Sequence, residues 1–372
     1  MSERRTLLHV FSTFDVGGPQ IRFVQLANHF GERYRHLIVA MDGRTGAMTR
    51  LLPGLDAELL PVAITKGETL KNLREFRRTL LQLRPDLLVT SNWGAIEWAM
   101  ADFDRAIPHL HMEDGFGPEE AERQLLRRVW TRRLVLRRSA VMLPSLKLFS
   151  LARDVWKLPP RNLLYVPNGV DCARFSTPGD WDFAQGLGIH PGVPIVGAVG
   201  GLRVEKNLFR LLDAFRTVSA ARPAQLVLVG EGPLLTDLRT AAEARGLSGH
   251  VVFTGACPVP ERLLPLFSVF ALSSDTEQMP LSVLEAMAAS RAVAATDVGD
   301  IRVMLAEENR PFVVACDPSL LGEAILTLLS DPQKAGAIGR ANAARAVAVY
   351  DQSHMFGAYR RLFDGDLAPN RD

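Results

Sequence analysis

The sequence predicts an α/β protein with two parallel sheets, each covered by helices on both faces. Three observations predict it. Short apolar runs alternate with helix-period segments along the whole chain, the pattern of repeated strand–helix–strand units. The 372 residues suffice for two domains of ordinary size. Glycine and proline gather between Ser176 and Gly192, at Pro178, Gly179, Gly186, Gly188, Pro191 and Gly192, which marks a connection between two halves. With 47% hydrophobic and 23% charged residues the chain can bury a large core, and disorder is excluded. The expected organisation is an N-terminal domain over 1–175, a linker over 176–192 and a second domain over 193–350. A C-terminal helix near 351–372 is expected to return to the first domain.

In the first half, strands are expected at Leu7 to Phe14, Leu37 to Met41, Ala57 to Ile64, Leu87 to Thr90, Pro108 to His111, Val141 to Leu143 and Leu163 to Val166. Helical patterns, such as Gln20 to Phe30 and Leu70 to Leu83, fall between them. The second half restarts with strands at Ile195 to Val199, Leu226 to Val229, Val251 to Thr254, Leu266 to Leu272, Ala292 to Thr296 and Phe312 to Ala315. Its tail, Leu320 to Leu329 and Ala335 to Phe363, is helical, with a break at Tyr350-Asp351. Runs of this kind, apolar along their whole length, suit strands buried on both faces.

One stretch dominates the functional reading, from Ser273 to Ala288. A buried strand ends at Leu272, a polar loop follows, and helical spacing begins at Pro280 with an apolar stripe of Leu281, Leu284, Met287 and Ala288. A helix N-terminus at the carboxyl edge of a parallel sheet offers free N–H groups to an anion, and phosphate fits best. Glu277 in the loop and Glu285 in the helix lie roughly 10 Å apart along the backbone. That is about the span from a hexose to a ribose across a pyrophosphate. A second strand, Ile195 to Val199, leads through Gly200-Gly201 to Arg203 and Lys206 just before a helix near Leu208. Two cations there oppose the helix dipole unless an anion intervenes, so they suit a diphosphate.

Other motifs carry less. Gly197, Gly200 and Gly201 lack the G-x-G-x-x-G spacing, and Gly230-Glu231-Gly232 has Leu235 in place of a third glycine, which disfavours a nicotinamide dehydrogenase. Gly17-Gly18 after the first strand permits close approach to the backbone, either of a ligand or within a simple tight turn. His111, followed by Glu113, Asp114, Gly115 and Gly117, ends a strand at the edge where open sheets bind ligands. Asp102-Phe103-Asp104 is read as a helix-to-strand connection, not as a metal motif. Between Arg123 and Arg138 seven arginines interleave with Leu125, Leu126, Val129, Trp130, Leu134, Val135 and Leu136. At about 100° per residue they spread round the helix, leaving two readings, a membrane-surface contact or a solvated helix.

The net charge of +2 gives no argument for nucleic acid, and no metal site is expected. Cys172, Cys257 and Cys316 are far apart and odd in number, the usage of a reducing compartment. The segment from Thr6 to Phe14 reads as a strand instead of a signal peptide. A cytoplasmic location is expected, with peripheral contact at the inner membrane face as an addition.

Taken together, Gly200-Gly201-Leu202-Arg203-Val204-Glu205-Lys206-Asn207, Val229-Gly230-Glu231-Gly232-Pro233, the E-x7-E pair Glu277 and Glu285, and Val166-Pro167-Asn168-Gly169-Val170-Asp171 resemble the retaining family-four glycosyltransferases. The resemblance covers nearly the whole chain and is strongest from Leu163 to Val303. It implies the GT-B fold, two Rossmann-like doubly wound domains whose parallel sheets face across a cleft. It implies transfer of a sugar from a nucleoside-diphosphate sugar to a hydroxyl of a polysaccharide, lipid-linked saccharide or glycolipid, with no cofactor and no metal. By the same resemblance Arg203 and Lys206 hold the donor diphosphate, Glu277 the sugar and Glu285 the ribose, with Leu281 and Ser282 beside the donor. Gly17 and Gly18 approach the phosphates or acceptor, and His111 matches a cleft histidine counted with Glu277, Arg203 and Lys206 as catalytic. One departure stands out: Gln278-Met279 replaces the usual small pair, which is expected to narrow the space beside the sugar.

Two alternatives remain open at this stage. A nucleotide-sugar 2-epimerase shares the architecture and a His-x-Glu-x-Gly turn like His111 to Gly115. A non-catalytic sugar-nucleotide-binding protein is the other, on the ground of Gln278.

Overall fold

The computed structural model describes residues 4–65, 67–116, 120 and 124–368. Gly117, Arg123 and residues 369–372, which entered the readings above, lie outside the described residues. Contacts divide the chain into two units, Met1–Pro167 with Met355–Asp372, and Asn168–His354.

The first unit holds seven strands: β1 (Arg5–Phe11), β2 (Tyr34–Ala40), β3 (Ala57–Leu59), β4 (Leu87–Ser91), β5 (His109–Met112), β6 (Ala140–Leu143) and β7 (Leu163–Tyr165). They form one parallel sheet in the order β3-β2-β1-β4-β5-β6-β7. β4, β5 and β6 are buried along their whole length, which explains their uninterrupted apolar character. β3 is shorter than the expected run to Ile64, because Pro61 has no N–H for the ladder. The C-terminal helix Gln352–Phe363 lays Met355, Tyr359 and Phe363 against Leu7, Val89 and Leu110, so the chain ends inside this unit's core.

The second unit holds β8 (Ile195–Val199), β9 (Gln225–Val229), β10 (Val251–Gly255), β11 (Val269–Leu272), β12 (Val293–Thr296) and β13 (Val313–Val314), again all parallel, in the order β10-β9-β8-β11-β12-β13. In each sheet the winding reverses once, between β1 and β4 and between β8 and β11. Crevices that bind ligands form at the carboxyl edge of such reversals.

Several expectations need correction. Residues 168–192 pack as part of the second unit: Phe175, Ala184 and Ile189 are buried in its core, and the helix Trp181–Gly186 is capped by Asp180. The return to the first unit falls at 354/355, four residues after the expected break, because Asp351 still bridges to Val170. The expected break in the helical tail at Tyr350-Asp351 is present. Helix Pro332–Arg345 passes through a π-turn at Ala346–Tyr350 before Gln352–Phe363 begins. β11 starts at Val269, since Pro265 puts Leu264–Leu266 in a 3-10 turn. Pro280 precedes the first helical residue, with an extended ψ of 125°, and the helix is Leu281–Ala288.

Inside the first unit, His9 and His36 are buried with ring nitrogens 3.0 Å apart. Burial holds both neutral: it lowers the His9 pKa well below the ordinary value, with His36 adding to the effect, and it lowers that of His36 to about 4. An unfolded chain takes up these protons near pH 6.5, whereas the folded one takes up that of His36 only near 4 and that of His9 only well below its ordinary range, so stability falls as pH drops below about 6.5. Replacing the pair (His9→Phe with His36→Leu) should remove most of the stability lost between pH 7 and pH 4.5, read by urea unfolding at both pH values. An unchanged slope would show that the imidazoles are protonated in the folded state.

Candidate active site

The second unit's reversal point is built from two loops. After β8, Gly200 takes φ +153 and the chain turns back through Leu202 to the exposed Arg203. A 3-10 turn, Val204–Lys206, follows, and Asn207 caps the helix Leu208–Ala221 by accepting from the Arg210 N–H at 3.2 Å. The Gly230-Glu231-Gly232 segment buttresses this turn. A Cβ on Gly230 would lie 1.9 Å from the Gly200 carbonyl oxygen, and one on Gly232 would lie 2.4 Å from that of Leu202. The Leu202 N–H donates to the Glu231 carbonyl at 2.9 Å. Backbone-to-backbone packing therefore accounts for these glycines.

After β11, Ser273 and Ser274 are buried and tie the second loop to the first. The Ser273 hydroxyl donates to the Lys206 carbonyl at 2.9 Å, and the Asp275 N–H donates to the Glu205 carbonyl at 2.9 Å. Arg210 clamps the same loop, donating to the Ser273 carbonyl at 2.7 Å and pairing with Asp275 at 2.6 Å. Across this seam the Lys206 Nζ lies 2.5 Å from Glu277 Oε1, which also accepts from the Ser274 hydroxyl at 2.7 Å. Lys206 lines a pocket together with Ala198 to Leu202, Leu208, Ser273 and Ser274.

The Glu277 backbone is fixed from two sides. Gly299, at φ +58 after β12, presses on it, so that a Cβ there would meet the Glu277 carbonyl oxygen at 2.3 Å. The Asp300 N–H donates to the Gln278 carbonyl at 2.9 Å, and the Asn168 amide donates to the Met279 carbonyl at 2.9 Å. Met279 itself is buried in the unit's core, with its sulfur 3.2 Å from the Asn168 N–H. Of the pair Gln278-Met279 expected to narrow the space beside the sugar, Met279 is corrected: its side chain fills core space on the side of Asn168.

Arg203, exposed, makes no ion pair among the described residues. Leu281 and Ser282 open the helix and are half-buried, as is Glu285 one turn further on. Burial pushes the Glu285 pKa up to about 7, against the pull of Arg174 and with a further push from Glu261. Arg174 itself is bonded to Glu261 at 2.7 Å. Asp102 and Asp104 share Arg77, which explains that acidic pair structurally.

In the first unit, Gly17 is extended and Gly18 begins the helix Gly18–Phe30. Neither has positive φ, so the turn itself does not require glycine at either place. His111 is fully buried with both ring nitrogens engaged, 2.8 Å from the Thr90 hydroxyl and 3.4 Å from Glu113. Glu113 is held by Arg132 Nε at 3.1 Å, and Arg132 also reaches Glu120 at 3.2 Å. The Arg132 guanidinium lies against Trp93, Phe116 and Trp156 with no exposed surface. The Thr90 hydroxyl, with one proton to give, also contacts His109 at 2.8 Å. His111 Nε2 faces Glu113 and its Nδ1 faces Thr90, so His109, Thr90, His111, Glu113 and Arg132 form one continuous buried chain of polar contacts.

Sequence reasoning missed Ser274, Arg210, Asp275, Asn168, Gly299 and the inward Arg132. The Gly299-Asp300 pair directly after a strand was a usable signal; the others depend on contacts between distant segments.

Comparison with solved structures gives the fold its name. A structure of Anabaena HepE in complex with UDP and glucose matches with a TM-score of 0.82 at 19% identity, over 97% of this chain and 100% of that one. This is the GT-B fold. Residues 193–331 match the model of glycosyl transferases group 1 and residues 16–174 that of glycosyltransferase family 4. The chain belongs to the family-four GT-B glycosyltransferases. Among relatives, a D-inositol 3-phosphate glycosyltransferase of Segniliparus rotundus is 32% identical over 57% of this chain and 50% of the relative. A GDP-mannose-dependent monoacylated alpha-(1-6)-phosphatidylinositol monomannoside mannosyltransferase of Corynebacterium glutamicum is 30% identical over 51% of this chain and 53% of the relative. The alignments thus span about half the length of these relatives.

The raised pKa of Glu285 has a measurable sign. The unfolded carboxyl ionises near its ordinary 4.5 and the folded one near 7, so folding is penalised as pH rises through that window. Glu285→Gln should therefore stabilise the protein by on the order of 1 to 3 kcal/mol at pH 8 and leave stability unchanged at pH 4, measured by urea unfolding. Equal stability of both proteins at pH 8 would contradict the burial assigned to this carboxylate.

Proposed function

We propose that the chain transfers a sugar from a nucleoside-diphosphate sugar to a hydroxyl of a saccharide or lipid-linked saccharide, with retention at the anomeric carbon. The observation that carries this reading is the pairing of Lys206 with Glu277 beside the pocket at the β8/β11 reversal. A cation and a carboxylate in one part-buried site suit a ligand with an anionic and a hydroxylated end. The diphosphate takes over Lys206 as a partner, assisted by the unpaired Arg203, and Glu277 receives the sugar hydroxyls. Ser274 keeps the Glu277 carboxylate aimed. Glu285 takes the ribose, with Leu281 and Ser282 at the helix start beside the donor and the Gly200-Gly201 turn giving the phosphates access to the backbone.

Retention in this reading proceeds by attack on the face that the leaving group departs. Glu277 and Glu285 lie on one loop–helix element, unlike the opposed carboxylates of a double displacement. The departing phosphate oxygen takes the proton of the acceptor hydroxyl as the new glycosidic bond forms. Lys206 and Arg203 stabilise the charge that develops on the diphosphate. In the first unit, the bare backbone of Gly17 and Gly18 is assigned to close approach of donor phosphate or acceptor. His111, with both nitrogens occupied, is assigned a positioning role through Glu113.

Lys206→Ala and Glu277→Ala should each lower the transfer rate by about a hundredfold or more while the fold is kept, read by product formation from a labelled sugar nucleotide. NMR of the product should show the donor's anomeric configuration. Near-normal rates in both variants would remove the site, and donor epimerised without any acceptor would favour the 2-epimerase.

A further inference from the structure

The helix Leu126–Val135 turns Arg128 and Arg132 inward and leaves three large apolar side chains on its outer face. Arg132 is fully buried and fixed by Glu113 and Glu120, and Arg128 pairs with Glu120 at 3.0 Å. Those bonds set the rotation of the helix. On the opposite side Leu126, Trp130 and Leu134 are 66%, 56% and 70% exposed. At about 100° per residue these three fall within about 80° of arc, with exposed Arg133 and Arg127 at its two edges and Arg132 about 160° from Trp130. An ordinary surface helix has the reverse arrangement.

We propose that this face docks on a lipid bilayer containing anionic headgroups, the helix lying in the plane of the interface. Charge selects this occupant: from Gln124 to Arg153 the sequence has no Asp or Glu, while Arg137 and Arg138 continue the exposed basic edge beyond the helix. Leu126 and Leu134 enter the acyl boundary, Trp130 sits at headgroup depth, and the flanking arginines meet phosphate groups. No helix among the described residues is long and apolar enough to cross a membrane, so the contact is with one face only. This surface belongs to the first unit and the Lys206–Glu277 pair to the second. Its test uses no sugar nucleotide, so it can fail without touching the transfer reading.

Co-sedimentation of the full chain with vesicles of phosphatidylcholine alone, and of phosphatidylcholine mixed with phosphatidylglycerol, tests it. The native chain should bind the mixed vesicles, less tightly as salt rises, and bind the neutral ones at least about tenfold more weakly. The combined variant Leu126→Glu, Trp130→Glu, Leu134→Glu should lose at least about tenfold in binding with an unchanged thermal transition, the altered side chains being exposed. Brominated acyl chains should quench native fluorescence, and Trp130→Phe, which keeps binding, should lose that quenching. Absence of binding to the mixed vesicles would overturn the proposal. So would equal binding by the combined variant, or a concentration-dependent dimer that only this variant abolishes.

Discussion

A lysine ammonium held 2.5 Å from a glutamate carboxylate in a part-buried pocket is the interaction around which the second unit is arranged. Each charge alone would be costly to remove from water, and each satisfies the other. The two come from loops that follow different strands, so the pair exists only because β8 and β11 are neighbours at the reversal of the sheet. The hydroxyls of Ser273 and Ser274, the Arg210 clamp and the glycines at 230, 232 and 299 all bear on those two loops. A side chain at any of these glycines would move one of the two loops without touching a charged residue.

The same logic applies on a smaller scale in the first unit. Arg132 lies among three aromatic rings and holds Glu113, which contacts His111, itself joined through Thr90 to His109. The planar Arg132 guanidinium, with N–H donors in a fixed fork, serves Glu113 and Glu120 at once. Its inward position also turns Leu126, Trp130 and Leu134 to the surface. One buried cation thereby links the order of the sheet edge to the chemistry of the outer face.

All thirteen strands were legible in the sequence, because parallel strands buried on both faces are written as apolar runs between glycine, proline and polar residues. The Gly200-to-Asn207 turn and the Glu277–Glu285 spacing were legible as local patterns too. What escaped depended on distance along the chain. Met279 looked like an obstruction beside a sugar until Asn168, 111 residues away, drew it into the core. The seven arginines looked evenly spread because periodicity alone does not say which side of a helix meets buried carboxylates. Residues 176–192 had linker composition, yet Ala184 and Ile189 are core residues. Glycine and proline there shape turns within a packed segment.

Nucleoside diphosphate binding without sugar, measured by calorimetry on single variants, tests the paired-charge account most directly. A diphosphate competes with Glu277 for the Lys206 ammonium, so the two substitutions should act in opposite directions. Lys206→Ala should weaken binding of the diphosphate by about tenfold to a hundredfold, whereas Glu277→Gln, which frees the ammonium, should leave it unchanged or tighten it. Equal losses in both variants, or none in Lys206→Ala, would contradict the account.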